Sequence, residues 1–334
     1  MKKKIALVTG GFSGEATISY KSATTIYNHL DKKKFDVFKI DINPAGWFYE
    51  NEDGVKTEVD KNDFSLQLNG KKLIFDAVFI GMHGTPGEDG KLQGYFDMLG
   101  IPYTSCSAAT SALTFNKRFT TAVAAMSGIN VARSALFIKG QFTSADEVIA
   151  KLCFPVFVKP NNGGSSIGMS KVNNASEELG AAIEKAFKED DQVLVEEMIT
   201  GREFTVGVFK TQGEIVVLPI TEVVSHKDFF DYEAKYHGKS SETTPAQLDE
   251  AWKQQLISTA KKVYTIFNCH GVVRIDFIYN TEFNAPFMLE INTIPGQSEA
   301  SVIPQQVRAM GWSLQDFYTK LLNEALHTED FSPI

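Results

Sequence analysis

Apolar residues recur along this chain with two periods, every second position in short runs and every third or fourth in longer ones. The switches between the two outline its elements. Residues 4–9 form a strand that stops at Gly10 and Gly11, after which Ile18, Ala23, Ile26, Tyr27 and Leu30 mark one face of a helix. Strands at 35–42, 74–80 and 101–104, with a short helix at 92–99, extend this into a doubly wound α/β unit. The small-residue stretch 105–127 reads as two short helices with Asn116 capping the second, and a domain boundary falls near Ser105. Beyond it, β-prone runs at 131–138, 155–159, 193–197, 203–209 and 215–223 surround an amphipathic helix at 177–187. The polar segment 224–247 is too long for an ordinary connection and reads as a functional loop. A helix pattern at 246–267, strands at 272–278 and 287–292, and helices at 304–310 and 314–326 complete the chain.

The last pair of strands gathers the densest chemistry. Arg274 and Asp276 share one face of the first, with Ile275 and Phe277 on the other. Glu290 and Asn292 share one face of the second, with Leu289 and Ile291 opposite. Pairing about Phe283 sets Asp276 across from Glu290 and Arg274 across from Asn292. Like charges placed directly opposite destabilise a sheet. A hard divalent cation removes the conflict, and carboxylates with an amide oxygen form a ligand set that Mg²⁺ accepts together with substrate phosphates. The same alternation also describes an ordinary amphipathic hairpin with solvated acids, so spacing alone leaves both readings open.

Composition narrows the classes. The 334 residues suffice for two to three domains, and 43% hydrophobic with 22% charged residues is the balance of a soluble globular protein. A formal charge of −8 argues against a nucleic-acid footprint. The apolar run after the N-terminal lysines stops too early for a signal peptide, and no run is long enough to span a membrane, so a cytosolic location is expected. Cys106, Cys153 and Cys269 are odd in number and widely spaced, which predicts buried thiols rather than disulfides or a zinc site.

Three glycine-rich loops follow strands: GGFSGE at 10–15, GMHGTPGEDG at 81–90, and the PNNGGSSIGMS stretch at 160–170, with Lys159 at its mouth. The first lacks dinucleotide-fingerprint spacing and the third lacks the G-K-[ST] ending of a Walker A loop. Backbone glycines, hydroxyls and a lysine nevertheless form a phosphate-binding combination, with a surface hairpin as the bland alternative.

Taken together these motifs resemble the ATP-grasp superfamily and, within it, the D-alanine–D-alanine ligase family. The resemblance runs through GGFSGEATIS at 10–19, HGTPGEDGKLQGYFDMLGIPYTS at 83–105, FNK at 115–117 and VKPNNGGSSIGMSKV at 158–172. It continues in EEMITGREFTV at 196–206, DYEAKY at 231–236, RIDF at 274–277, LEINTIPG at 289–296 and SVIP at 301–304. It covers nearly the whole chain.

The resemblance implies an α/β, ATP-grasp architecture of three domains at 1–105, 106–196 and 197–334. It implies ATP as substrate, two Mg²⁺ ions with Mn²⁺ as an alternative, a homodimer, and ligation of two D-alanines through a D-alanyl phosphate for peptidoglycan synthesis. Lys117 and Lys159 match phosphate-contacting lysines, and Glu196, Glu197, Met198 and Ile199 the adenine strand. Glu203 matches the ribose partner, and Lys235 lies with Tyr236 on a lid formed by the long loop. Asp276, Glu290 and Asn292 match the metal ligands. Glu15 matches the group holding the first substrate's ammonium, Ser165 and Tyr236 its hydrogen-bonding partners, and Arg274 with the Gly296 N–H the oxyanion donors. Ser301 and Val302 match the second substrate's carboxylate site. His83 reads equally as a substrate contact or a structural histidine. Asn161-Asn162-Gly163 and Val302 depart from the residues common in the family. A D-alanyl-D-lactate ligase is the nearest rival, against which Tyr236 argues. A catalytically silent sensor is the rival from another class, against which Lys159, Arg274, Asp276 and Glu290 argue.

Overall fold

The structure is a computed structural model that describes residues 2–141, 144, 146–164, 167–174, 177–225 and 240–327. In the first sheet β1 (Lys3–Gly10) lies between β2 (Phe35–Asn43) and β7 (Ala77–Ile80), parallel to both. β3 (Gly46–Glu50) and β4 (Lys56–Glu58) continue it antiparallel, and β5 (Leu66–Leu68) pairs with β6 (Lys71–Leu73) apart. The sheet is therefore mixed, with an antiparallel meander that hydrophobic periodicity did not reveal. Ile5 and Leu7 pack in one cluster with Ile26 of α1 (Ala16–His29), and Ala6 and Val8 in another with Leu92 and Phe96 of α2 (Lys91–Leu99).

Two expected strands change. Residues 74–76 do not join β7, and Ile74 is 59% exposed. Residues 101–104 make only a single parallel bridge, Val78 to Tyr103. The next rung is lost because the Ile80 N–H donates to the Thr104 hydroxyl at 3.2 Å instead of to backbone.

Helices α3 (Ala108–Phe115) and α4 (Lys117–Met126) follow, and Asn116 caps α4 as expected, its Oδ1 accepting the Phe119 N–H at 3.0 Å. The second sheet is antiparallel in the order β10 (Ser170–Val172), β9 (Val156–Pro160), β11 (Gln192–Glu197), β8 (Ser134–Ile138). The short α5 (Asp146–Ile149) precedes β9, and α6 (Glu177–Ala186) lies between β10 and β11 in the chain. Val156, Val158, Val193 and Val195 form a core with Leu179 and Ile183 of α6.

The third sheet centres on β12 (Arg202–Thr211). One of its edges is split between β13 (Glu214–Val217) and β14 (Thr221–Ser225), where a single strand was expected. Pro219 stands in the gap and has no N–H to offer a ladder. β15 (Ser240–Thr243) pairs with β14, so the long polar loop is flanked by a hairpin. On the other edge come β16 (Val272–Asn280) and β17 (Ala285–Asn292). Helix α7 (Glu250–Ile266), capped by Asp249, packs on the face formed by Val273, Ile275 and Phe277. Helices α8 (Val302–Ala309) and α9 (Leu314–His327) close the chain, and Phe317 and Leu321 of α9 return to the Ile5 and Leu7 face of the first sheet.

Cys106 and Cys269 are buried as expected, but Cys153 is exposed on the turn before β9. No helix among the described residues is long and apolar enough to cross a membrane.

Candidate active site

The β16–β17 hairpin has the pairing inferred from Phe283: Asp276 opposes Glu290 and Arg274 opposes Asn292. It reaches that register by an irregularity. From the turn outward the pairs are Asn280 with Ala285 through Phe277 with Met288, and Leu289 is then left over as a bulge. Alternation consequently breaks at Leu289, which is half-buried, while Met288 and Ile291 take the core face. The expectation that Leu289 shares the face of Ile291 is thus corrected. Without the extra residue Asp276 would oppose Leu289, so the bulge is what aims Glu290 at Asp276.

Arg274 donates Nε to Asp276 Oδ1 at 3.0 Å and Nη2 to Oδ2 at 2.9 Å, and its Nη2 lies 3.8 Å from Glu290 Oε1. Burial lowers the guanidinium's pKa, but Asp276, Glu290 and Glu88 together raise it above its ordinary value, so it stays cationic. Asp276 Oδ1 also accepts from the Thr205 hydroxyl at 2.5 Å, directly across β12. Asn292 Oδ1 accepts the Ile294 N–H at 3.0 Å and keeps a second lone pair. One guanidinium among three carboxylates leaves a formal surplus of two negative charges. Among the described residues there is no cluster of three or more His, Cys, Asp or Glu that could hold a metal alone. The hard oxygens and that surplus fit a divalent cation that shares its coordination with a phosphorylated substrate. Glu203 lies on this same face of β12, two residues before Thr205.

On the second sheet, Lys159 Nζ lies 2.5 Å from Glu196 Oε2, and both side chains are largely buried. Lys159 opposes Leu194 and Glu196 opposes Phe157, so the pair shares the face away from the valine core. Glu197 has the opposite orientation. Its Oε1 accepts the Cys153 N–H at 2.8 Å and lies 3.5 Å from Arg133, so Glu197 and Glu196 do not act as paired acids on one face. The Met198 N–H donates to Pro155 O at 2.9 Å, whereas the Ile199 N–H has no hydrogen-bond acceptor among the described residues.

Lys117 donates Nζ to Gly163 O at 2.6 Å, and its N–H donates to Asn161 O at 3.0 Å. The departure at 161–162 has a structural task. Buried Asn161 accepts the Arg118 N–H at 2.9 Å and donates to Gln192 at 2.9 Å, while Asn162 bonds Asp190, so both anchor the mouth of the glycine-rich loop.

Glu15 is the N-cap of α1, at the end of the first glycine loop. A Cβ on Gly164 would stand 3.1 Å from Glu15 Oε1 and one on Gly84 2.6 Å from Oε2, so the carboxylate sits against both of the other glycine loops. His83 is buried with both ring nitrogens engaged: Nδ1 lies 2.8 Å from Ile294 O and Nε2 2.8 Å from Ser22 Oγ. Because a carbonyl only accepts, Nδ1 carries a hydrogen, and Ser22 Oγ in turn accepts the Gln297 N–H at 3.1 Å. Both ring nitrogens are thus engaged within the protein. His83 ties the first sheet's loop to residues 294–297. Gly296 is half-buried within that segment, beside Ser301, whose Oγ lies 2.7 Å from Ser298 Oγ. Ser301 is the N-cap of α8 and Val302 its first residue. Ser165, Lys235 and Tyr236 lie outside the described residues.

Two participants escaped the sequence reading. Glu88 was read only as part of an acid-bearing loop, and Thr205 meets Asp276 only through the β12–β16 register, for which no local signal exists.

Two antiparallel sheets in succession, a glycine-rich loop between strands of the first and opposed carboxylates on the second, place this architecture in the ATP-grasp class. Family models of the D-ala D-ala ligase N-terminus and C-terminus match residues 4–106 and 123–323. A D-alanine–D-alanine ligase of Flavobacterium johnsoniae is 46% identical over 97% of this chain and 99% of its own, and one of Phocaeicola vulgatus is 46% identical over 96% and 99%. The VanG D-Ala:D-Ser ligase of Enterococcus faecalis superposes with a TM-score of 0.87 at 31% identity, covering 97% of this chain and 100% of that one. The Bacillus anthracis D-alanine–D-alanine ligase complexed with ATP superposes at 0.78 with 25% identity, covering 98% and 99%. The chain belongs to the D-alanine–D-alanine ligase family.

Proposed function

We propose that this protein joins two D-alanines into D-alanyl-D-alanine, with ATP cleaved to ADP and phosphate, as a step of peptidoglycan precursor synthesis. The observation that carries the reading is the charge surplus around Arg274, Asp276, Glu290 and Glu88, in a chain whose relatives bear that activity in their names. The working units are residues 1–105, 106–196 and 197–334, in line with the succession of three sheets.

Lys117, Lys159 and the loop from Gly163 hold the ATP phosphates, and the Ile199 N–H and Glu196 hold the adenine, with Glu203 at the ribose. Asp276, Glu290 and Asn292 would hold Mg²⁺, as two ions with Mn²⁺ as an alternative. Bound there, the cation supplies Lewis-acid charge to the phosphoryl oxygens. Glu15 anchors the first D-alanine's ammonium so that its carboxylate meets the γ-phosphoryl group, giving D-alanyl phosphate. The second D-alanine sets its carboxylate at Ser301 and Val302, where the free N–H groups of the α8 N-terminus favour an anion. Its neutral amine attacks the acyl carbon, Arg274 and the Gly296 N–H stabilise the oxyanion, and phosphate leaves. Ser165 and Tyr236 complete the Glu15 network, and the polar segment 224–247 with Lys235 shields the acyl phosphate from water. The reading includes a cytoplasmic homodimer.

The test is ADP release by purified protein with ATP and Mg²⁺ and D-alanine, L-alanine, or D-alanine mixed with D-lactate or D-serine, the products being weighed by mass spectrometry. Dipeptide from D-alanine alone is the expected result. Absence of turnover with ATP still bound would overturn the reading, and a mixed product that outcompetes the dipeptide would transfer the assignment to a relative of different acceptor.

A further inference from the structure

Strand β12 has a defect at its centre. β13 reaches it at residues 208–211 and β14 at 203–205, and Leu218 N–H serves Gly207 O at 2.8 Å. The Gly207 N–H is left over on that edge, while the Thr205 carbonyl, opposite Thr221 in the ladder, has a second lone pair to offer. A fully buried carboxamide on α8 takes both: Gln306 Oε1 accepts the Gly207 N–H at 3.1 Å, and Nε2 donates to Thr205 O at 3.0 Å and to Thr221 Oγ1 at 3.1 Å. The side chain thus stands in for the missing peptide of a neighbouring strand. Gly207 makes room for it, since a Cβ there would lie 2.5 Å from Oε1.

Each of these partners leads to a different part of the candidate site. Thr205 bonds Asp276. Thr221 pairs with Thr244 at 2.6 Å, just beyond β15 and thus at the base of the hairpin that flanks the long loop. Gln306 is itself in the second turn of the helix that begins at Ser301 and Val302. Its neighbour Gln305 adds a second tie, bonding Glu242 of β15 and Ala300 O, both at 2.8 Å.

We propose that Gln306 is a positioning residue for the acceptor: it sets the α8 N-terminus against Asp276 and the base of the lid hairpin, and thereby places the second D-alanine over the acyl phosphate. This rests on the ligase reading above and assigns a residue it does not use. Among the described residues its direct bonds go to Gly207, Thr205 and Thr221 and to none of Lys117, Lys159, Glu196 or Glu15, so its loss acts chiefly on the acceptor half of the reaction.

The experiment compares the full-length protein with Gln306→Met, which removes all three bonds, and Gln306→Glu, which keeps only an acceptor for Gly207. Two products are read. Dipeptide formation needs the acceptor's carboxylate site, whereas hydroxylamine, having no carboxylate, traps D-alanyl phosphate as the hydroxamate and reports the donor half alone. Losing two or three buried hydrogen bonds should raise the KM for the second D-alanine by at least about tenfold. Hydroxamate formation and the KM for ATP should stay within about twofold. Amide exchange at Gly207 should speed up in Gln306→Met but not in Gln306→Glu. Equal loss of dipeptide and hydroxamate, or no change in either, would overturn the proposal, and Gln306→Glu decides if Gln306→Met does not fold. Failure of the unaltered protein to form both products would instead overturn the ligase reading.

Discussion

Lys159 on the second sheet and Arg274 on the third both face carboxylates, yet the two arrangements differ in charge. Lys159 has Glu196 at 2.5 Å, a pair that is neutral by itself. Arg274 faces Asp276, Glu290 and Glu88, which leaves two negative charges formally uncompensated. A neutral buried pair is complete and must be opened before either partner can serve a nucleotide, whereas a cluster with a surplus is incomplete and attracts a cation. The second sheet therefore offers an exchange of partners, and the third a demand for charge. Removing a single group should have opposite consequences in the two places.

The largest effect is expected at Asp276, where Asn292 and Glu290 alone cannot replace the lost ligand. Asp276→Asn should lower dipeptide synthesis by about a thousandfold. It should also abolish the rise in melting temperature that Mg²⁺ with an ATP analogue gives the unaltered protein, because a ligand stabilises only the state that binds it. A preserved Mg²⁺-dependent rise in Asp276→Asn would break the contrast at its root.

Lys159→Met probes the neutral pair. It leaves Glu196 buried without its cation, an arrangement that costs about 3–5 kcal/mol when a buried pair is broken. Melting without nucleotide should fall accordingly, and turnover should drop about a hundredfold, chiefly through weaker ATP binding. The double variant Lys159→Met with Glu196→Leu should regain most of the stability and none of the activity. Stability that does not recover would mean that the pair is not self-contained.

Much of this contrast was legible in the sequence. The alternation of Arg274 and Asp276 against Ile275 and Phe277, and the opposition of Asp276 and Glu290, follow from a period of two and a turn near Phe283. The bulge was not legible, since an extra residue at Leu289 changes no local propensity and is seen only when both strands are paired. Strands β3 to β6 were missed because they are only three to five residues long, too short for a period of two to stand out. The Thr205 and Gln306 contacts join residues 71 and 101 positions from their partners Asp276 and Thr205, and Glu88 acts on Arg274 through its charge across 186 positions. Such contacts exist only after the sheets assemble, and no spacing rule reaches them. The resemblance to a family supplied roles for individual residues, but it could not supply a register.

Glu88 provides the finest test of the comparison, because it adds charge to the third sheet's cluster without belonging to its hairpin. Its Oε2 accepts the Gly84 N–H at 3.0 Å, and its Oε1 lies 3.9 Å from His83 Nδ1. Glu88→Gln keeps an oxygen for Gly84, so the loop should hold its shape, while the formal surplus falls from two charges to one. If the cluster attracts its cation through summed charge, apparent Mg²⁺ affinity should weaken by about three- to tenfold with kcat nearly unchanged, since one charge at partly buried range contributes about 1 kcal/mol. The side chain is only 13% exposed, so added salt should reduce this difference little. A loss as large as that of Asp276→Asn would make Glu88 a ligand in its own right. No change at all would mean that Arg274 already cancels it, and the charge that calls for the cation would then reside in Asp276 and Glu290 alone.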